Sequence, residues 1–449
     1  DVDRFVVAVK ETVAEMQAAE FFSSPSSDIA EGEALVQRLD AFRIEADVKA
    51  AYRAPLTAGQ RDLWILTQMG DDASSSYNES ITLDLRGHFQ PLAMQTALQR
   101  LVDHHEPLRT IFDPKGEFQQ INPTMTVPLP VIDVSLAGHT ERELKAAEWL
   151  AKEGQQPLDL VNGPLVRVLI IKLEEQHHIL ALTVHHLVAD GWSVGVLLRD
   201  LKRLYAAACK GEICLLAEPM PYSEYVQQQA EAQESPRMAK AESYWLGQFA
   251  TPAPVLELPT DQPRPAIRTF NGAQRSLTID NQLFGDLKKL SARQGCTLFV
   301  TLLAAYSALL HRLSGQEDLV VGIASAGQLS ARDNYLVGHC VNLLPLRSVV
   351  ETATTFKDYL RFIKMELLDA HEHQTYPLSE LIQKLNLPWD PSRAPLVSTA
   401  FNLDYSGPGL EFFELEAVAA INPNSYSKFD ISVNVTQKEK ELVFDCDFN

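Results

Sequence analysis

The sequence has few cysteines, few cations and no long apolar run, and each shortage disfavours a class of protein. Its five cysteines, an odd number without a CxxC pair, predict reduced thiols of a cytoplasmic protein rather than a disulfide framework or a metal site. Lysine and arginine number 39 against 59 acidic residues, so the net charge of −20 disfavours nucleic acid and anionic membranes as partners. No apolar stretch of about 18 residues occurs, which predicts that no helix spans a membrane.

The organisation of the 449 residues follows from their local patterns. Two amphipathic stretches separated by a Ser/Pro linker predict that residues 1–54 are a helical lead-in from an upstream domain. A proline-rich stretch at 250–272 predicts an extended connection between a first lobe, 55–250, and a second lobe, 251–449. Strand and helix patterns occur in both lobes. The predicted fold class is therefore α/β, with mixed sheets covered by helices.

The clearest elements lie in the first lobe. Alternation of apolar residues predicts two strands, 165–173 and 178–186, joined by a polar turn. Helical spacing predicts a helix over 91–105 and another over 192–208. The segment between the second strand and the second helix holds the most informative motif of the chain.

Two adjacent histidines, His185 and His186, are followed after three residues by Asp190 and Gly191. Neighbouring residues at the end of a strand point to opposite faces, so only one of the histidines can face a given cavity. A neutral imidazole can hold or deprotonate a nucleophile, and His186 with N–H groups near Gly191 can stabilise the oxyanion of an acyl transfer. A hydrogen-bonded histidine and a helix-capping Asp190 explain the same residues without catalysis.

This run resembles the HHxxxDG motif of the condensation domains of nonribosomal peptide synthetases, in the chloramphenicol-acetyltransferase-like superfamily. Six further segments resemble the other motifs of that family in their usual order, and the match extends from about residue 55 to the end of the chain. These segments are 56–64, 104–112, 222–225, 337–342, 373–377 and 390–396.

The resemblance implies two chloramphenicol-acetyltransferase-like lobes that form a V, with the active site in a tunnel at their junction. It implies an acyltransferase in which His186 assists the amine of an acceptor aminoacyl thioester in attacking a donor acyl or peptidyl thioester. His185 is expected to be mostly structural, and Asp190 to pair with Arg109 as a brace. The residues expected to line the tunnel are Trp192, Ser193, Asn342 and Ser398.

The resemblance also implies partners. Both substrates are expected on the 4′-phosphopantetheine of donor and acceptor carrier proteins, with no bound cofactor and no metal. The chain has no Gly-Gly dipeptide of a carrier site and no Gly-rich nucleotide loop, so an adjacent adenylation domain and an upstream module are expected to supply activated substrates. A segment at about 323–337 is expected to form the floor of the cleft, and a later strand to latch onto the first lobe.

Other functions remain open at this point. An epimerisation domain shares HHxxxDG, and a catalytically silent domain of the same fold can dock carriers. Heterocyclisation domains are disfavoured because they replace both histidines.

The motif segment 337–342 departs from the family pattern. His339 and Cys340 stand where the family usually has an apolar pair, and His339 is a polar group that can tune substrate choice near the tunnel. The residue pattern at 338–347 also resembles that of condensation domains fed by polyketide modules, which suggests a hybrid polyketide and peptide assembly line.

Overall fold

The structure of the protein is a computed structural model. It describes residues 51–449 apart from 329–334, 389, 406–409 and 423–424. The predicted lead-in helices, in residues 1–50, and part of the predicted floor segment lie outside the described residues.

Fifteen strands and eleven α-helices make up the described chain outside its gaps. The strands are β1 (Tyr52–Pro55), β2 (Asn78–Gly87), β3 (Thr110–Phe112), β4 (Phe118–Ile121), β5 (Val131–Asp133), β6 (Val166–Glu174), β7 (His177–His185), β8 (Ala273–Ile279), β9 (Asp318–Ser325), β10 (Asn342–Val349), β11 (Thr399–Tyr405), β12 (Leu410–Phe412), β13 (Leu415–Ile421), β14 (Ile431–Gln437) and β15 (Leu442–Phe448). The helices are α1 (Ala58–Thr67), α2 (Asp71–Ser75), α3 (Pro91–His104), α4 (His139–Gln155), α5 (Gly191–Lys210), α6 (Tyr222–Ala232), α7 (Pro236–Gln248), α8 (Asn281–Arg293), α9 (Leu298–Ser314), α10 (Phe356–Glu372) and α11 (Leu378–Leu385).

The first lobe is built on a six-stranded sheet in the order β12-β13-β2-β7-β6-β5. The predicted hairpin is present as β6 and β7, whose antiparallel register pairs Val166 with Val184. Helices α3 and α5 pack against each other, and their apolar faces share one core with β2, β6 and β7. Helix α4 packs on β2, β6 and β7 and shares a separate, smaller core with β6 and β7. A small three-stranded sheet, β1-β4-β3, adjoins this lobe.

The second lobe has its own six-stranded sheet in the order β10-β9-β11-β14-β15-β8. Strand β11 is parallel to both of its neighbours, whereas the outer pairs are antiparallel, so the sheet is mixed as predicted. Helices α9 and α10 pack together over it and supply much of the core. Among the described residues, no single helix is long and apolar enough to cross a membrane. Helices α8 and α9 meet the length and composition only when taken together, and they are bent by 103° where they join.

One strand from the second half of the chain belongs to the sheet of the first lobe. Strand β13 comes late in the sequence, yet it pairs antiparallel with β2 of the first sheet, from Leu415 opposite Gly87 to Ile421 opposite Ile81. Gly87 has a φ of 131° and lies so close to the β13 backbone that a Cβ would approach the Glu414 carbonyl oxygen to 2.3 Å. Because β13 belongs to the first sheet, it holds the second half of the chain against the first lobe, as the expected latch would.

Candidate active site

The histidine motif lies where the first sheet meets the second lobe. Strand β7 ends at His185, and the backbone N–H of His186 then donates to the Tyr77 carbonyl at 2.8 Å. The chain turns through Asp190, whose side chain caps α5 by accepting from the Ser193 N–H at 2.9 Å. This cap is the reason that a helix begins directly after the motif.

His185 is fully buried. Its Nδ1 accepts from the Leu187 N–H at 3.2 Å, which requires the ring proton to be on Nε2. Burial lowers the pKa of His185 to about 3, so the ring is neutral near pH 7. A neutral ring that is bonded to its own loop supports the structural role predicted for this residue.

His186 has a polar group beside each ring nitrogen. Its Nδ1 lies 3.2 Å from Nδ1 of His339, which comes from the second lobe. Its Nε2 lies 3.5 Å from a carboxylate oxygen of Glu79 on β2. The same carboxylate accepts from Nζ of Lys428, again from the second lobe, at 3.2 Å. Both lobes therefore contribute to the surroundings of this one imidazole.

Both imidazoles of this pair are neutral near pH 7. Burial holds the pKa of His186 well below its usual range, and the positive charge of Lys428 adds to that effect. Burial also lowers the pKa of His339 to about 4, although the charge of Asp190 opposes the shift. A hydrogen bond between two neutral imidazoles needs one ring to donate and the other to accept.

Asp190 joins the lobes, because its buried carboxylate accepts hydrogen bonds from both of them. From α5 it receives the hydroxyl of Ser193 at 2.7 Å in addition to the capping N–H. From the second lobe it receives the Gln328 amide, 3.0 Å from each carboxylate oxygen, and the Cys340 N–H at 3.1 Å. These converging donors stabilise a buried charge without a cation.

The predicted Arg109–Asp190 brace is wrong. Arg109 lies at the end of a 3-10 turn, where its guanidinium donates to the Asn122 carbonyl at 2.7 Å. Burial lowers the pKa of Arg109, and the acidic groups that oppose this shift are Glu106 and Asp103, not Asp190. Asp190 has its acceptor capacity taken by neutral donors, so an arginine is not needed to stabilise it.

A cavity of about 250 Å³ lies between the lobes, and His186 is not among the described residues that line it. His339 and Asn342 are part of its wall, together with residues of α1, α6 and the segment before α11. Gly59 on α1 leaves room for the ring of His339, because a Cβ there would lie 2.8 Å from Nε2. Asn342 is held in place by two hydrogen bonds of 2.8 Å, donated to the carbonyls of Gln374 and Tyr376.

The other predicted tunnel residues are placed differently. Ser193 is wrong as a tunnel residue, because it is fully buried and bonded to Asp190 and Gly338. Trp192 is 37% exposed and Ser398 is half-buried, and neither is among the described residues that line the cavity. Their contact with substrate stays a prediction. A Cβ built on Gly191 would meet no neighbouring atom within 4 Å, so this side of the glycine faces open space.

Sequence reasoning missed Glu79 and Lys428. It gave no individual role to Gln328, in the expected floor segment, or to Tyr222, in the motif segment 222–225, whose hydroxyl donates to the His339 carbonyl at 2.9 Å. Glu79 is a charged residue within a strand whose neighbours alternate toward the core, and this was the available sign of a special role. The others are distant in sequence and reach the site only through the packing of the lobes. Among the described residues, no group of three His, Cys, Asp or Glu side chains could hold a metal ion, and all five cysteines are free.

Comparison with known proteins agrees with this geometry. The chain is 36% identical over 401 residues to tyrocidine synthase 3 of Brevibacillus parabrevis, covering 88% of this chain and 6% of that protein. The chain thus spans less than a tenth of that relative's length. The fold matches the first condensation domain of the calcium-dependent antibiotic synthetase with a TM-score of 0.77 at 22% identity, over 89% of this chain and 92% of that one.

A second solved structure, the X-domain from teicoplanin biosynthesis, has a TM-score of 0.78 at 23% identity, over 90% of this chain and 91% of that one. At these identities the two structures show the fold alone. The family-level sequence match, described as Condensation domain, covers residues 51–449. The protein therefore belongs to the condensation domain family, and its two lobes have the chloramphenicol-acetyltransferase-like fold.

Proposed function

We propose that this domain catalyses amide bond formation between two carrier-bound thioesters. The amine of an acceptor aminoacyl thioester attacks the carbonyl carbon of a donor acyl or peptidyl thioester. The C–N bond forms and the C–S bond breaks, and the donor thiol leaves with the proton that the amine gives up. The observation that carries the proposal is the neutral His186, which lies between Glu79 of the first lobe and His339 of the second, and His339 is part of the cavity wall.

The role proposed for His186 follows from its electrostatics. A ring whose pKa is held well below its usual range is a poor base for full proton removal. It is a good hydrogen-bond partner, and its lone pair can hold the attacking nitrogen in line with the thioester carbonyl. Orientation of this kind reduces the entropic part of the barrier. The N–H of Gly191, the first residue of α5 directly after the motif, is the backbone group that we propose to meet the developing oxyanion.

The partners follow from the same chemistry. Both substrates would arrive on the phosphopantetheine arms of a donor and an acceptor carrier protein, in the cytoplasm. A neighbouring adenylation domain and an upstream module would load them, as expected for a segment of a multidomain synthetase. Asn342 and the cavity beside it are the part of the described structure that would receive one of the arms.

The experiment is intact-mass analysis of a panel of loaded donor and acceptor carriers incubated with the domain. Amide formation predicts that the acceptor carrier gains the donor acyl mass while the donor carrier loses it. An epimerisation domain would instead exchange the α-hydrogen of a carrier-bound aminoacyl group for deuterium without an acceptor. A silent docking domain would bind carriers and change neither mass, and that result across the panel would overturn the proposal.

A further inference from the structure

His186 and His339 meet edge to face. Their ring centroids are 5.1 Å apart, the ring planes cross at 75°, and the two Nδ1 atoms are the atoms in contact at 3.2 Å. Because both rings are neutral near pH 7, one Nδ1 carries a hydrogen and the other presents a lone pair. The tautomers of the two rings are therefore coupled: when one ring is protonated on Nδ1, the other is protonated on Nε2.

The backbone that carries His339 is fixed by the first lobe. The hydroxyl of Ser193 lies 3.0 Å from both the N–H and the carbonyl of Gly338. The hydroxyl of Tyr222 donates to the His339 carbonyl at 2.9 Å, and the next backbone N–H donates to Asp190. Three successive residues are thus held in place, which fixes where the His339 ring lies relative to His186.

The proposed reaction requires one tautomer of His186. To accept an N–H of the attacking amine, Nε2 must present its lone pair, so the ring proton must be on Nδ1. The side-chain acceptor beside that proton is Nδ1 of His339, and the backbone of His186 itself offers a second acceptor. We propose that His339 is a positioning residue whose Nδ1 accepts from His186 and so keeps His186 in the tautomer that binds the amine; this inference rests on the proposed function.

Glu79 favours the opposite tautomer. Its carboxylate lies 3.5 Å from Nε2 of His186 and would be a good acceptor for a hydrogen there. The same carboxylate accepts from the Lys428 ammonium at 3.2 Å, and this charged donor competes for the oxygen. His339 is the group that tips the balance toward Nδ1 protonation, since the bond on one ring nitrogen decides which nitrogen carries the proton.

Nitrogen-15 NMR of protein labelled at histidine tests the tautomer directly, because protonated and unprotonated ring nitrogens have well-separated shifts. The signals of His186 are assigned by their loss in a His186→Gln variant. We expect His186 to be protonated on Nδ1 in the wild type at pH 7.5 and to shift toward Nε2 protonation in His339→Leu. A wild-type ring already protonated on Nε2, or an unchanged pattern in the variant, would overturn the inference.

Kinetics with a matched pair of variants tests the consequence. His339→Leu removes the acceptor, and we expect kcat to fall roughly tenfold with KM within about twofold, the effect of losing one orienting hydrogen bond. The asparagine of His339→Asn has nearly the same shape as the leucine of His339→Leu, but it places Oδ1 near the position of the histidine Nδ1. We therefore expect His339→Asn to recover most of the wild-type kcat. Equal kcat in the two variants, or a change confined to KM, contradicts a positioning role.

Thermal unfolding of each variant separates folding from positioning. If His339→Leu does not fold, the wild-type tautomer and the His339→Asn rate decide the question. A dead His186→Ala variant beside a fully active His339→Leu variant refutes this inference and leaves the proposed function standing. A fully active His186→Ala variant refutes the role proposed for His186, whatever tautomer is observed.

Discussion

Asp190 shows how a single side chain can join two lobes without an ion pair. Its carboxylate is 2% exposed and accepts from Ser193 on one side and from Gln328 and the Cys340 backbone on the other. Asp190→Ala would leave these buried donors unpaired. We expect the free energy of unfolding to fall by about 3 kcal/mol or more, measured by urea denaturation, because each unpaired group costs about 1–3 kcal/mol. A loss below about 1 kcal/mol would contradict this account.

The correction of Arg109 has its own test. Since the guanidinium donates to the Asn122 carbonyl and forms no ion pair with Asp190 among the described contacts, the two residues should contribute independently. A double-mutant cycle of Arg109→Met and Asp190→Asn should give a coupling energy within about 0.5 kcal/mol of zero in unfolding experiments. A coupling of about 3 kcal/mol would restore the buried pair.

Glu79 should act on the acceptor substrate. Its carboxylate lies beside Nε2 of His186, where it can attract a second N–H of the incoming amine. Glu79→Gln keeps the shape and removes the charge. We expect the KM of the acceptor to rise about fivefold, a loss of about 1 kcal/mol in binding, with the KM of the donor within about twofold. Equal effects on both substrates would place Glu79 outside the amine site.

The limits of sequence reasoning are clear at this scale. The motif predicted a catalytic role for His186, which stays a prediction, and an acid before a helix correctly predicted that Asp190 is an N-cap. The prediction for Arg109 came from the family resemblance, and it failed because a motif match does not tell which carbonyl or carboxylate a long side chain reaches. Glu79 and Lys428 join His186 only through the assembled sheet and the packing of the lobes, so the charge of Glu79 within its strand was the sole local sign and Lys428 had none.

At the scale of elements, strongly periodic segments were predicted and weakly periodic ones were not. The β6–β7 hairpin and α5 lie within two residues of their predicted bounds, because their apolar faces are long and fully buried. Helix α4 was missed because it is largely charged and buries few side chains. Strands β1 and β3 have four and three residues, too short for alternation to be recognised.

The attachment of β13 to the first sheet depends on Asn422, the residue that directly follows the strand. Asn422 is buried directly after the strand; its Nδ2 donates to the Ser80 hydroxyl at 3.1 Å and to the Leu150 carbonyl at 2.9 Å. We expect Asn422→Ala to lower the free energy of unfolding by about 2 kcal/mol in urea. The matched control is Val418→Ala on the exposed face of the same strand, which should change it by less than about 0.5 kcal/mol.

If Asn422→Ala were as mild as the control, β13 would be held to the first sheet by its backbone hydrogen bonds alone.

Pairing between distant segments such as β2 and β13 is the part of the fold that periodicity in the sequence cannot assign. Two strands of similar pattern do not reveal which sheet they join, and the prediction of a latch depended on the family resemblance.

At the scale of the whole molecule, buried neutral histidines link stability to pH. Burial, with a smaller effect of the Lys172 charge, lowers the pKa of His178 to about 4. In the unfolded chain this ring would bind a proton below about pH 6.5, so its contribution to stability is complete above that pH and is lost as pH falls toward 4. Asp62 acts in the opposite sense, since burial raises its pKa to about 6.

Comparison of the wild type with His178→Phe isolates the contribution of one histidine to the pH dependence of the free energy of unfolding. The ring of His178 lies 4.8 Å from that of Phe89, so an aromatic replacement keeps a packing partner. We expect the variant to become more stable relative to the wild type as pH falls from 7 to 5, in urea denaturation at each pH. A difference that does not change with pH would show that His178 is protonated equally in both states.

The net charge of −20 disfavours nucleic acid, and it would leave recognition of the proposed carrier proteins to local surfaces and to the cavity between the lobes. The most direct test of the whole account is a single-turnover assay with loaded donor and acceptor carriers, wild type against His186→Ala, followed by intact mass. We expect amide formation to slow about 100-fold or more while carrier binding is unchanged. Equal rates in the two proteins would contradict the central claim that His186 assists the attack of the amine.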